Sequence, residues 1–209
     1  MTWHCKATGW GYDLTSQEAY DNCVEIYNLL GGRGWTRNAV IGLLANIGHE
    51  GLYNPWQWQN DDPLNDYDDY QTQNAHAYGL TQFDPAAKYI DYAQSYPGYG
   101  PKFANTSGST LDGQAQMLFL DENADYIPTA TYPETYNEYK NSNKPVEYLT
   151  RAWFANYERG TWSDSRLDDA AYWDEHLPGS PGPVGEIPPW LAFQFKKKDK
   201  NIINRLILT

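Results

Sequence analysis

The sequence predicts a mainly α fold. Three observations carry that prediction: apolar residues recur at helical spacing in several segments, capping residues stand just before them, and few segments alternate as a strand would. Thr15 followed by Glu18 has the form of a capping box, and Ala19, Cys23, Ile26, Tyr27 and Leu30 then give a first helix its apolar face. Gly31, Gly32 and Gly34 end it. Thr36 caps a second helix, in which Ala39, Val40, Leu43, Leu44 and Ile47 form a strongly apolar stripe that stops at residues 51–55. Residues 56–77 read as irregular, polar and aromatic, with Asp61, Asp62, Asp66, Asp68 and Asp69 crowded together. A loop of that length is usually functional or mobile. Asp84 is expected to cap a third helix with Pro85 at its first position, and that helix fails at Pro97. After a Gly/Ser/Thr/Asn-rich loop over 97–112, further helices are expected near 112–124, 145–158 and 165–177.

The body is therefore one domain over residues 1–177, with an N-terminal arm. Residues 178–190 hold five Pro and three Gly within 178–189, a composition that breaks helices and reads as a linker. Residues 191–209 form a basic, apolar peptide too short to be a domain, either a docking segment or a solubilising tail. Lys196, Lys197, Lys198, Lys200 and Arg205 hold five of the fifteen basic residues, so the rest of the chain carries ten basic against twenty-six acidic residues.

A formal net charge of -12 argues against a general nucleic-acid binder, which needs a basic face for phosphates. No apolar run is long enough to span a bilayer, and residues 1–13 lack the apolar core of a secretory signal. Nine Trp and eighteen Tyr are an aromatic surplus that suits sugar or peptide grooves as well as a core. Cys5 and Cys23 permit one disulfide or two thiols. His49 and His76 lack zinc-site spacing, the Asp-rich loop lacks the calcium-loop pattern, and no metal or cofactor is expected.

Two segments carry candidate chemistry. Glu50 ends the apolar second helix and opens an aromatic loop. Burial there would raise its pKa and keep it protonated, as a glycosidase's proton donor must be. In Tyr78-Gly79-Leu80-Thr81-Gln82-Phe83, Gly79 allows close backbone approach, and Gln82 offers an amide donor and acceptor suited to a sugar acetamido group. Tyr53, Trp56, Trp58 and Tyr70 interleave with Asn54, Gln57 and Gln59. Such aromatic faces stack on pyranose rings, and some of them also belong in the core.

Asn46-Ile47-Gly48-His49-Glu50-Gly51-Leu52-Tyr53-Asn54-Pro55, then Tyr78 to Phe83, then Trp153-Phe154-Ala155-Asn156-Tyr157-Glu158-Arg159, together resemble the phage tail lysozyme family. The resemblance covers about residues 15–177 in the family's order. It implies a lysozyme-like α fold with long irregular cleft loops, cleaving the glycan strands of bacterial peptidoglycan. The protein would be housed in a phage virion at the tail tip or tail knob, where it opens the host wall for genome entry. On that resemblance Glu50 matches the general acid. Tyr78, Gly79 and Gln82 match the cleft floor, and Tyr157 joins the substrate-binding set. Glu158 matches a structural or cleft position, with Arg159 as its ion-pair partner.

The family's usual Ser-Gly after the acid is Gly51-Leu52 here, which opens the reading of an inert, wall-binding module. A second carboxylate is expected from the Asp-rich loop, with Asp61 and Asp62 chosen because they follow the Trp56/Trp58 pair. Lytic transglycosylase chemistry, which needs one carboxyl, and a free endolysin also fit these residues. Expected partners are peptidoglycan and, through the C-terminal peptide, other phage tail proteins, with no nucleic acid and no membrane insertion.

Overall fold

The structure, a computed structural model, describes residues 3–6, 14–59, 77–94, 112–177 and 179. It is built on helices: α1 (Ser16–Gly32), α2 (Arg37–Glu50), α3 (Ala87–Gln94), α4 (Asp112–Asn123), α5 (Tyr136–Lys140), α6 (Val146–Trp153) and α7 (Ser165–His176), with a π-helical turn (Phe154–Glu158) continuing α6. The fold is mainly α and lysozyme-like, as expected. Among the described residues there are no strands, only isolated antiparallel bridges of Tyr78 to Trp58 and to Phe83.

The first two helices start where their caps place them. The Thr15 hydroxyl accepts from the Glu18 N–H while the Glu18 carboxylate accepts from the Thr15 N–H, a reciprocal capping box. The Thr36 hydroxyl accepts from the Ala39 N–H. α3 departs from the expectation. It begins at Ala87 rather than at Pro85, because a turn precedes it in which the Lys88 N–H donates to the Pro85 carbonyl. α5 was not expected, although Thr135 and Glu138 cap it with the same box as α1. Its five residues are too short to show periodicity, so the cap is its only local signal.

α2 organises the core. Every residue from Ala39 to Gly48 is buried, so this helix is enclosed on all sides rather than packed along one stripe. Its main neighbours are α6 and α7, with α1 beside them. Asn46, buried in its middle, donates from Nδ2 to the Gly42 carbonyl at 2.8 Å and across to the Thr150 carbonyl of α6 at 3.1 Å. Much of the aromatic surplus is spent here. Trp153, fully buried, has Trp35, Tyr126, Tyr136, Tyr139 and Tyr157 around it at centroid distances of 4.7–6.4 Å.

The N-terminal arm is sewn on by amides. His4 and Asn22 exchange two hydrogen bonds of 2.8 Å, and the Asn54 side chain bonds both the N–H and the carbonyl of Lys6. Cys5 and Cys23 are two thiols and not a disulfide, and burial pushes the Cys23 thiol well up. Of the two cysteine states that the sequence left open, this is the one found. No helix of the described residues is long and apolar enough to cross a membrane.

The approach of α2 to α6 is set by a glycine. A methyl group at Gly42 would stand 2.8 Å from the Tyr139 hydroxyl oxygen and 2.9 Å from the Leu149 backbone carbon. Gly42→Ala is expected to cost ~1–3 kcal/mol by overpacking. A lower urea midpoint at unchanged slope would show it.

Candidate active site

The end of α2, the hairpin-like segment 77–84 and the π-helical turn meet at one cleft of about 460 Å³. His49, Glu50 and Leu52 form one wall, and Glu158 adjoins them. Gln57, Trp58, Gln59, Ala77, Gln82 and Asp84 complete the lining. The three segments that carry the sequence resemblance are thus brought together. Main chain makes the join: a Cβ at Gly51 would fall 2.6 Å from the Leu80 carbonyl oxygen and 2.7 Å from that of Gly79. The Thr81 hydroxyl meets the Tyr157 hydroxyl at 3.2 Å, linking the second segment to the third.

Glu50 sits at the last position of α2 with its side chain 27% exposed. The Arg166 Nη2, from α7, donates to its Oε1 at 2.7 Å. Arg166 is itself 6% exposed, donates from Nη1 to Asn46 Oδ1 at 2.9 Å, and lies over the Phe154 ring. Glu50 is thus ion-paired to a buried guanidinium that no sequence motif marked. The neighbouring His49 has its Nε2 3.0 Å from Asp169 Oδ2, and burial pushes the Asp169 carboxyl up while His49 opposes that rise.

The carboxyl that burial raises in this cleft is Glu158, pushed up to about 8, with the charge of Glu50 adding to the rise. The Trp153 indole N–H donates to its Oε1 at 3.0 Å and works against the rise. The π-helical turn explains that bond, since an i to i+5 repeat sets residue 158 over residue 153. Arg159 is not the partner expected for Glu158. It takes a left-handed backbone (φ 56°) and turns its guanidinium to the carboxylate and carbonyl of Asp125.

The expected sugar-binding residues divide. Trp58 and Gln82 line the cleft, although Trp58 is only 3% exposed and is packed on Tyr78 at 4.5 Å. Gln82 donates from its amide nitrogen to the carbonyls of Gln57 and Gly79, so its donors are used and its carbonyl oxygen is the group left to accept. Gly79, at φ 88°, makes the turn beneath it. Tyr53, Trp56 and Tyr78 are corrected to core residues. The Tyr53 hydroxyl accepts from the Trp173 indole at 2.9 Å, and the Tyr78 hydroxyl donates to the buried Asp112 at 2.8 Å. Tyr157 packs at a tilt against Trp153 and is not among the residues that line the cleft. Asp61, Asp62 and Tyr70, together with His76 and the C-terminal peptide, lie outside the described residues. Asp84 is an exposed cleft carboxylate that was read as a helix cap and so missed as a site residue.

The family model for phage tail lysozyme matches residues 21–177. Morphogenesis protein 1 of Bacillus phage B103 is 30% identical over 170 residues, which are 79% of this chain and 42% of that protein. The chain thus spans less than half the length of this relative.

Two outcomes follow from the geometry. Restoring the family's serine with Gly51→Ser should lower stability by ~1–3 kcal/mol, because the added atoms meet main chain that cannot yield as a side chain would. Thermal unfolding checks it. Glu158 gives the second. Its folded-state pKa lies above that of the unfolded chain, so between them the folded protein holds a proton that the unfolded chain has released. Its contribution to stability is complete at pH 4 and is lost as pH rises to about 8. The stability of wild type relative to Glu158→Gln should fall across that window in denaturant titrations at several pH values.

Proposed function

This chain belongs to the phage tail lysozyme family, and we propose that it cleaves the glycan strands of bacterial peptidoglycan from a phage particle, opening the host wall locally for genome entry. The observation that carries this reading is the cleft itself. It sets Glu50, at the end of the buried helix, against Gln82 and the amides of Gln57 and Gln59, with a second carboxyl, Glu158, beside it. Glu50 is the general acid. It gives its proton to the glycosidic oxygen as the bond to the anomeric carbon breaks, and water then adds to that carbon. The carbonyl oxygen of Gln82 accepts from an acetamido N–H, and its fixed NH₂ keeps it there.

An inverting mechanism needs a second carboxylate across the sugar, roughly 6.5–9.5 Å away. Asp61 and Asp62 are the sequence's candidates for that role, and Asp84, in the cleft lining, is a third. Residues 178–190 serve as a linker and 191–209 as the peptide that docks on other tail proteins, at a tail tip or knob. The phage morphogenesis protein among the relatives supports a place in the particle.

The test is digestion of purified peptidoglycan by wild type and Glu50→Gln, with mass analysis of the muropeptides released. Wild type should release reducing ends, and the variant should lose at least about a hundredfold in rate while unfolding cooperatively, since an acid–base group contributes roughly 10²–10⁴-fold. Anhydromuramyl ends would establish transglycosylase chemistry instead. No cleavage by folded, wall-binding wild type would leave an inert binding module.

A further inference from the structure

Two polar side chains of α4, Asp112 and Gln116, have no exposed surface and do not belong to the cleft lining. They are out of reach of a ligand, yet Gln116 bonds the main chain of two cleft segments. Its Oε1 accepts from the Leu80 N–H at 2.8 Å, and its Nε2 donates to the Pro55 carbonyl at 2.6 Å and to Asp112 Oδ2 at 3.3 Å. We propose that Gln116 is a positioning residue for the substrate: it fixes the turn that carries Gln82 against the loop that leaves Glu50, and so sets where the cleft receives an acetamido group. The proposal rests on the glycan-cleaving function for the identity of the ligand.

One planar amide thus joins segments that are distant in the chain. Pro55 closes the loop that begins at Gly51, directly after Glu50. Leu80 belongs to the turn in which the Gln82 N–H donates to the Gly79 carbonyl at 3.1 Å. The Gln116 amide has one orientation open to it. Leu80 offers a donor, while Pro55 and Asp112 offer acceptors, so the oxygen must face Leu80 and the nitrogen the other two. Asp112 is held in turn by the Tyr78 hydroxyl, at 2.8 Å, and by the Tyr89 hydroxyl.

The same contact explains the glycine of the turn. A Cβ at Gly79 would fall 2.5 Å from Gln116 Oε1 and 2.8 Å from its Cδ. A side chain held by three hydrogen bonds does not swing aside cheaply. From this turn the path to the ligand is short. The Gly79 carbonyl accepts from Gln82 Nε2 at 2.9 Å, which leaves the Gln82 oxygen to accept. Where Gln116 holds Leu80, it therefore also places the Gln82 amide. Without the Gln116 amide, a buried N–H and a buried carbonyl lose their partners, and the turn must shift to repair them.

The first arm of the test needs no ligand. Wild type, Gln116→Met and Gln116→Asn are compared by NMR as ¹⁵N-labelled protein. Gln116→Met keeps the size and ends the bonds; Gln116→Asn keeps the amide, shortens its reach and serves where Gln116→Met does not fold. The Gln82 side-chain amide resonance should shift, and the Leu80 amide should exchange with solvent about tenfold faster or more. A Gln82 resonance that stays in place in the folded variants overturns the proposal.

The second arm measures Kd for an N-acetylglucosamine tetramer and for its deacetylated counterpart. Both are measured in the Glu50→Gln background, which leaves the ligand uncleaved, at a temperature where each variant is folded. Adding Gln116→Met should weaken the acetylated tetramer about five- to tenfold, the effect of losing one hydrogen bond, and the deacetylated one much less. A purely structural Gln116 would lower the unfolding temperature and leave the ratio of the two Kd values unchanged, and that result overturns the proposal. Should neither tetramer bind, and wild type release nothing from peptidoglycan, the glycan-cleaving function and the acetamido ligand fall together, while the NMR arm still decides whether Gln116 holds the Gln82 turn.

Discussion

The rest of the site depends on one buried guanidinium. Arg166 reaches from α7 into the end of α2, where it bonds both the Asn46 amide oxygen and the Glu50 carboxylate and rests on the Phe154 ring. A guanidinium this enclosed requires partners with fixed geometry, because its charge cannot be neutralised by losing a proton. Its partners in turn are held from elsewhere: Asn46 by α6 through the Thr150 carbonyl, and Glu50 by the last turn of α2. Helix register, the direction of the candidate acid and the start of the π-helical turn are thereby one constraint. It orients more than it stabilises, since a buried ion pair costs nearly as much desolvation as it returns.

The departure from the family pattern after Glu50 has a physical cause in the same packing. The sequence alone made Gly51-Leu52 look like the loss of a serine partner. In the structure, position 51 is where α2 touches the main chain of Gly79 and Leu80, and no side chain fits. Glycine there draws the second motif against the first. The hydroxyl near the cleft comes instead from Thr81, which is tied to Tyr157. The absent serine therefore gives no ground for an inert cleft.

Most of the helices were legible because their signals are local. Thr15, Glu18 and Thr36 announce their helices, and the apolar run from Ala39 to Ile47 announces burial. Glu50 and Gln82 were legible as cleft residues through motif and resemblance together. What was missed lies in contacts between distant segments. Arg166 is 116 residues from Glu50 and stands in an unremarkable helix. Burial of Tyr53, Trp56 and Tyr78 depends on Trp173 and Asp112, and nothing in an aromatic-rich loop says which rings turn inward. Glu158 was quoted for its motif and given the wrong partner, because adjacency in sequence to Arg159 outweighed a backbone conformation that no pattern reveals.

That conformation belongs to a wider distribution of strain. Among the described residues, the non-glycine positions with positive φ are Leu52, Tyr53, Gln82 and Arg159. Leu52 and Gln82 line the cleft, Tyr53 follows Leu52 and Arg159 follows Glu158. A left-handed residue other than glycine costs on the order of 1–2 kcal/mol, and Leu52 bears it where the family pattern has glycine. A fold held by a close-packed aromatic core has no packing need for four such residues around one opening. They turn the chain at the points where Glu50, Gln82 and Glu158 are presented, which ties the cost to the cleft.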